Sequence, residues 1–483
     1  MSDDNDLSAP QQIYDVLIVG AGPVGLATAI ALLKRGITNI LVIDQTREFR
    51  RVGQVVDLLP NGLRAIKYID PTAYEQIKAS PSGVNKPSSS SVSQPQPAPE
   101  KQRWCQRNLQ GEILRSFPTD FQSWFDHYGE ERVSLPWFNL QTELRNILPP
   151  EKVLAKHRCV FIEDGPDWVR VDSTSDAAES INPFAHWEML RSDPQRSTSP
   201  ETSQTSVSGR FYAKLVVAAD GINSTMRQVL YENKGLEEWA KPQYSGFAAM
   251  GCFQFENLPK SILDNLETYY LQGARIVTVK NDSSQFDSPE QEQTRIVLVR
   301  LSETAIGYAI TSPINLDVLQ KSSPEEILDL GLTSLRDAEF LPIFSEFVGL
   351  SAPEKVFHRP YFIHPIASLK NVQSIWSHGR AVLVGDAAHG MPPFMAQGAN
   401  QGLEDAAVVG TYMAQLIQDD GLDDMTAIEN AFHQYEQIRR PLMEKVQSAT
   451  MTCNQWSQPQ CDQFKEILHR REYPSSVTLG ELG

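Results

Sequence analysis

The sequence predicts an α/β fold in which one mostly parallel sheet is interrupted by a long, mainly antiparallel β insert and completed by helices. Two observations predict it. Three short, β-branched runs, Ile13 to Val19, Lys214 to Ala218 and Arg380 to Val384, each end in a turn bearing glycine or aspartate and lead into a helical pattern. Between the second and third, residues Tyr244 to Ser312 mostly alternate apolar and polar, as strands with one wet face do.

The first run decides the class. Val16 to Leu33 is nearly apolar for 18 residues, a length that suits a signal peptide or a membrane helix. The prefix Met1 to Asp6 carries Asp3, Asp4 and Asp6 and no Lys or Arg, which is wrong for export. The interior of the run reads instead as a buried strand, the turn Gly20-Ala21-Gly22-Pro23-Val24-Gly25, and a helix from Val24 to Arg35 closed by Gly36. A second strand, Asn39 to Ile43, ends on Asp44, nineteen residues after Gly25. This is the βαβ setting of a dinucleotide fingerprint. Gly20 permits the tight turn, Gly22 lets a pyrophosphate approach the backbone, Gly25 lets helix and strand pack, and Asp44 can accept from a ribose hydroxyl.

Further along, Pro81 to Glu100 and roughly Ser173 to Gly209 have the composition of linkers or mobile loops, although Phe184, Trp187, Met189 and Leu190 leave room for an ordered patch in the second. Lys214 to Ala218 runs into Ala219-Asp220-Gly221 and the capped helix start Asn223-Ser224-Thr225. Arg275 to Lys280 and Arg295 to Leu301 read as a long hairpin around the polar stretch Asn281 to Thr294. One or two helices follow over Pro324 to Phe347, then helices over Gln397 to Leu416 and about Ala427 to Thr452. Three strand ends bearing Gly and Asp suggest a cofactor with several parts to be held.

Composition narrows the partners. The 43 Lys and Arg against 60 Asp and Glu give a net charge of −17, which argues against nucleic acid phosphates. Five scattered cysteines, at 105, 159, 252, 453 and 461, read as reduced thiols of a cytoplasmic protein with no zinc site and no disulfide framework.

With these motifs in order, the chain from Tyr14 to about Gln447 resembles the single-component (group A) FAD-dependent aromatic hydroxylases, the family of para-hydroxybenzoate and salicylate hydroxylases with zeaxanthin epoxidase among its relatives. Its Asp-Gly motif is matched by Leu215 to Arg227 and its Gly-Asp motif by Gly385 to Pro393, continued by Gly398-Ala399-Asn400 and Glu404-Asp405-Ala406. The resemblance implies a Rossmann-type FAD-binding domain of the glutathione-reductase type, with an inserted, mainly antiparallel β substrate domain and C-terminal helices. The corresponding divisions are 12–240 and 371–455 for the two parts of the FAD-binding domain, 241–370 for the substrate domain, and 456–483 as a tail. That tail is too short for the thioredoxin-like domain of the larger phenol hydroxylases.

By the same resemblance, FAD is held non-covalently by Gly20, Gly22, Pro23, Val24, Gly25, Asp44, Gln45, Arg51, Gln141, Asp220, Gly221, Asp386, Pro393, Gly398, Ala399 and Asn400. Asp386 faces the ribityl or pyrophosphate-proximal part, and the backbone of Gly398 to Asn400 faces the flavin pyrimidine edge, where a helix N-terminus favours negative charge. Asp220 alternatively caps the following helix, Arg51 competes with Arg50 and with a solvated surface role, and Gln141 is otherwise an exposed polar residue. No catalytic residue is assigned; Pro393, His358, Tyr361 and His364 are weak candidates, with structural roles the alternative for the last three. His389 reads as part of a structural loop.

The implied activity is an NAD(P)H-dependent monooxygenase: NADPH or NADH reduces FAD, O2 adds at the flavin C4a, and the distal oxygen of the C4a-hydroperoxyflavin goes to an aromatic or other electron-rich hydrophobic small molecule. Hydroxylation and epoxidation both remain open, as does oligomeric state. Alternatives on the same scaffold are a flavin-dependent halogenase, whose Trp-x-Trp-x-Ile-Pro signature none of the eight tryptophans supplies, a prenyl reductase, or a non-catalytic flavin-binding protein. Phe247, Met250, Phe253 and Tyr308 suggest an apolar pocket wall or a packed sheet face.

Overall fold

A computed structural model describes residues 12–46, 49, 55–80, 103–165, 167–175, 207, 209–255, 258–282 and 293–471. Arg50, Arg51 and Gly53, the segment expected as a linker at 81–100, most of that expected at 173–209, residues 283–292 and the chain beyond 471 lie outside the described residues.

Two sheets carry the fold. In the first, the order is Ser377–His378, Ala381–Leu383, Gly209–Ala218, Ile13–Val19, Ile40–Ile43 and Val153–Leu154, parallel throughout except for the first pair. Val169–Thr174 pairs antiparallel with the first half of Gly209–Ala218, and Arg158–Asp164 pairs with Val169–Thr174. The β-branched runs are apolar at every position because little of them meets water: Val16, Leu17, Ile18, Val216 and Val217 are fully buried. Each such Ile or Leu contributes roughly 1.5–3 kcal/mol relative to an exposed side chain. The helices Pro23–Leu33, Gly398–Gln418 and Met425–Thr452 share this core.

The second sheet has seven strands in the order Phe357–Ile363, Gln243–Cys252, Ile306–Pro313, Arg295–Arg300, Ile276–Lys280, Arg103–Arg107 and Ile113–Pro118. All of its pairs are antiparallel except that between Ile276–Lys280 and Arg103–Arg107. The expected hairpin is therefore present, with Ile276 opposite Val299 and Lys280 opposite Arg295. Alternate residues, including Met250, Ile310, Ile296 and Val279, build a second core with Phe344 and Phe347 from the helix Pro342–Val348.

Two segments add detail to the division read from the sequence. Arg103–Arg107 and Ile113–Pro118, within the span assigned to the first part of the FAD-binding domain, extend the second sheet. Residues 456–483, read as a tail, include the helix Gln458–His469, which Ser457 opens through a reciprocal capping box with Gln460 and which buries Cys461 and Leu468. Among the described residues no helix is long and apolar enough to cross a membrane.

Candidate active site

Strand register brings the three sequence motifs to one edge. Val19 lies beside both Ile43 and Ala218, and Ala218 beside Leu383, so the turns after these residues leave the sheet at a common level. This carboxyl edge is where open parallel sheets bind ligands. The first turn is tight: Gly20 has φ +109°, and a side chain there would meet the Ala219 carbonyl oxygen at 2.3 Å. At Gly25 a Cβ would lie 2.0 Å from the Gly20 carbonyl oxygen, so helix–strand contact requires glycine. Gly22 differs, because its φ of −70° and ψ of 172° suit any residue, and among the described residues the nearest atom to a Cβ there would be in Trp137, at 3.9 Å. The space before Gly22 is open to a ligand. Pro23 begins the helix and is buried, whereas Val24 packs against Gly385 and Gly402 and so fixes this helix to the third motif.

Asp44 accepts hydrogen bonds from the Ala21 N–H at 2.6 Å and the Thr46 N–H at 2.7 Å. Burial pushes its carboxyl up, and these two donors oppose the shift. Gln45 beside it is exposed. Gln141, expected either at the flavin chain or exposed, is buried, and its Nε2 donates to the Ala21 carbonyl at 2.7 Å. It therefore braces the glycine turn from behind.

Asp220 does cap the following helix: its Oδ2 accepts from the Thr225 N–H at 2.9 Å and the Met226 N–H at 3.3 Å, while Ser224 accepts from Arg227. Among the described residues its buried Oδ1 has no hydrogen-bond partner. Burial pushes this carboxyl up to about 6, against the hydrogen bonds from Ser224 and the helix start. Gly221 adopts φ +80° beside it. Arg227, buried, donates to the carbonyls of Ala387 and Ala388 at 3.0 Å each, tying the second motif to the third.

In the third motif Asp386 is exposed while Ala387, Ala388 and His389 are buried. A Cβ at Gly398 would sit 3.6 Å from Asp386 Oδ1, so the aspartate stands over the start of the helix Gly398–Gln418, whose N-terminus no side chain caps. Crowding raises the Asp386 carboxyl, and His389 opposes this. Its exposure makes that shift a property of the crowded cleft, with no stability attached. Gly398 and Ala399 are half-buried; the Asn400 side chain turns inward, its Oδ1 accepting from the Leu59 N–H at 2.9 Å and its Nδ2 donating to the Asp57 carbonyl at 2.8 Å. His389 Nε2 lies 2.5 Å from Asp405 Oδ2, in a wholly buried group with Arg439 and Glu404, which agrees with a structural loop.

Pro393 is exposed and starts a short turn that sends Phe394 toward the second sheet. The Phe394 ring meets Phe247 edge-on at 5.7 Å and Tyr361 at 5.4 Å, and the Arg295 guanidinium lies 4.4 Å from its centre. Of the weak catalytic candidates, Tyr361 packs on the Phe394 ring and Pro393 precedes it in the turn. His358 is opposite Met250 and so lies on the helix-packed face, and His364 is buried with its Nε2 2.7 Å from the Ile222 carbonyl. Burial lowers the His364 imidazole well below its ordinary value. Of the two readings of the apolar residues, the packed sheet face describes Met250 and Tyr308, which lie in the second core, while Phe253 stacks on Phe357 and Phe247 meets Phe394. Sequence reasoning missed Arg295, Arg359 and Phe394, although the alternation that orients them is present in the strands.

A mostly parallel sheet with three Gly- and Asp-bearing turns at its carboxyl edge, joined through Phe394 to a mostly antiparallel second sheet, is the architecture of a dinucleotide-binding fold. The FAD binding domain family matches residues 13–54 and 351–450. The chain is 23% identical to an FAD-dependent monooxygenase of Gibberella moniliformis over 95% of its own length and 91% of the relative's. It is 24% identical to the salicylate hydroxylase of Pseudomonas putida over 92% and 86%. HpxO of Klebsiella pneumoniae, solved with FAD and uric acid, has the same fold, with a TM-score of 0.59 at 17% identity over 95% and 93% of the two chains. In sequence the chain is similar to FAD-dependent monooxygenases, an aromatic hydroxylase among them.

Among the described residues no group of His, Cys, Asp and Glu could hold a metal ion, and all five cysteines are buried thiols. The residues present do fit FAD, because Gly22 is open, Asp220 Oδ1 is unpartnered, and Asp386 faces an uncapped helix start.

Proposed function

We propose that this chain is an FAD-dependent monooxygenase that takes electrons from NADPH or NADH and inserts one oxygen of O2 into an aromatic or electron-rich small molecule. The observation that carries the reading is the common level of the three strand ends, which sets Gly22, Asp220 and Asp386 around one edge that opens on the Phe394 cleft. FAD, when bound, supplies hydride acceptance and the activation of O2. The chain's own residues bind and orient. The Gly22 backbone and the first helical turn would receive the pyrophosphate, Asp44 and Gln45 the ribose end, Asp220 and Gly221 the chain between, and Asp386 the ribityl end. The amides of Gly398, Ala399 and Asn400 would stabilise negative charge on the flavin pyrimidine edge. Arg51 remains a proposed phosphate partner. Phe394, Phe247 and Tyr361 would hold an acceptor and keep water from it.

Purified protein should be yellow and should oxidise NADPH or NADH faster when a suitable phenol or aromatic acid is present. Under 18O2, mass spectrometry of the product should find one labelled oxygen; halide-dependent turnover with no label in any product would overturn the reading. The same preparation of Asp386→Ala should carry little FAD, and a fully loaded variant would show that this aspartate does not hold the cofactor.

A further inference from the structure

The helix Gln458–His469 turns one face toward the strand Ile113–Pro118 and the helix Phe121–Tyr128. Cys461, Lys465 and His469 follow one another at four-residue spacing and so share that face. Cys461 Sγ accepts from the Arg115 guanidinium at 3.0 Å, and the His469 ring lies edge-on to those of Trp124 and Tyr128, at 5.4 and 5.2 Å. Lys465 comes between. Its Nζ stands 3.1 Å from the centre of the Phe117 ring and 5.7 Å from that of Trp124, whose indole N–H donates to the Pro118 carbonyl at 2.9 Å and is held against the strand end.

This amine has aromatic neighbours in place of an anion. Among the described residues Lys465 makes no ion pair and no hydrogen bond. The two acids beside it on the helix have other partners: Asp462 accepts from Gln458 at 2.7 Å, and Glu466 pairs with His127 at 2.5 Å and with Arg470. Burial is the largest influence on Lys465 and disfavours an ammonium; Cys461 and Asp462 support the charge, Arg132 and Arg115 oppose it, and the amine is pushed down to about 7. Attraction to the ring faces offsets only part of the burial. His469, one turn further on, stays neutral too, because burial pushes its imidazole down to about 3, with the charges of Lys465, Arg64 and Arg471 adding to the effect. Near pH 7 about half of the Lys465 amine is therefore unprotonated, against fewer than about one in a thousand for an ordinary lysine. The side chain keeps part of its surface, so a small electrophile can reach it.

We propose that Lys465, set on the faces of Phe117 and Trp124 beside Arg115, is a nucleophilic lysine and a modification site that takes a small acyl group from an acyl thioester. A lysine removed from water or placed next to another cation is the activated form of this nucleophile. The Nζ lone pair forms the new N–C bond, the C–S bond breaks with its electron pair leaving on sulfur, and the amine gives one proton to solvent. Nothing is oxidised or reduced. The product is a neutral amide, which suits surroundings that disfavour charge. It falls on a join in the fold, since this helix binds Arg115 of the second sheet through Cys461 and leads into Arg471, which pairs with Glu404 on the helix of the third motif. The flavin takes no part in the step, so the proposal stands or falls apart from the monooxygenase reading.

The test uses the full-length, FAD-loaded protein and the small thioester N,S-diacetylcysteamine, at low conversion from pH 6 to pH 10, with acetylation read peptide by peptide by mass spectrometry. At pH 7 Lys465 should react at least about tenfold faster than the exposed Lys355 and Lys370, and its rate should level off above about pH 8 while theirs keep rising. In Arg115→Gln, which removes one opposing cation, the levelling should move to higher pH, with FAD content and melting temperature showing that the variant is folded. Should that variant not fold, the profile of the native protein alone decides. A Lys465 that reacts no faster than the exposed lysines at pH 7, or whose rate climbs in step with theirs, would overturn the proposal. So would a levelling point that stays in place in folded Arg115→Gln.

Discussion

Gly22 and Gly25 belong to one motif, yet the two positions answer to different partners. An alanine methyl at 25 would collide with the Gly20 backbone at 2.0 Å, where no rotamer can yield, so Gly25→Ala should destabilise the apo-protein by about 1–3 kcal/mol or more. An alanine at 22 has allowed dihedrals and empty space, so Gly22→Ala should melt with the native protein in the absence of FAD and bind FAD at least about tenfold more weakly. Melting curves of the apo-proteins and fluorescence titration with FAD measure the two effects. Unchanged affinity in Gly22→Ala would mean that no phosphate approaches this backbone. The sequence made the glycine spacing legible because turn chemistry is local. It could not separate the two readings of Asp220, and the structure explains why: one carboxylate oxygen caps the helix and the other is left without a partner. Gln141 is expected from sequence at the flavin chain or exposed to solvent, and tertiary packing makes it a buried brace of the glycine turn.

At the scale of elements, the long helix Gly398–Gln418 is fixed to Pro60–Ile69 by a contact that propensity alone would misjudge. Gly62 lies inside the latter helix, where alanine ordinarily gains about 0.5–1 kcal/mol. Here a Cβ would sit 2.1 Å from Asn400 Oδ1, and Asn400 is held by Leu59, Asp57 and Ala396. Gly62→Ala should therefore destabilise, by roughly 1–3 kcal/mol. Asn400→Ala alone should cost a similar amount by leaving the Leu59 N–H without its acceptor. In the double variant the two costs should fall well short of their sum, as chemical denaturation of all four proteins would measure. Additive costs would show that the two side chains do not compete for this space. Such coupling between residues 62 and 400 is invisible to a reading that follows one helix at a time. The same limit applies to Arg103–Arg107, whose pairing with Ile276–Lys280 joins residues far apart in sequence and is set by tertiary contact, not by local pattern. The helix Gln458–His469 is a different case: its capping box was there to be read in Ser457 and Gln460.

Across the whole molecule, distant stretches meet on two buried acids. Glu404 and Asp405 are fully buried on the Gly398–Gln418 helix, and Arg439 bonds both, at 2.6 and 2.7 Å. Asn61 donates to Glu404 at 2.8 Å, and Arg471, just past the last helix, donates to both of its oxygens at 2.7 and 2.6 Å. Asp405 in turn accepts from the Gly385 N–H of the third motif at 2.9 Å. Burial alone would raise the Glu404 carboxyl, but Arg439 and Arg471 outweigh it and hold the group below its ordinary value. A folded-state value below the unfolded one gives stability that is present above the unfolded value and is lost as pH falls through the folded one. Arg471→Met should therefore destabilise at pH 7, by about 1–3 kcal/mol, because Arg439 still serves Glu404 and Arg471 is partly exposed. The deficit should shrink as pH drops below the ordinary glutamate range, where Glu404 becomes neutral in the unfolded chain and then in the folded one. Thermal unfolding of both proteins from pH 7 to pH 3.5 would measure this, with Glu404→Gln as a control in which Arg471→Met should cost less. A melting difference that is absent at pH 7, or that widens toward acid, would show that the C-terminal arginine does not secure the helix on which the third motif stands.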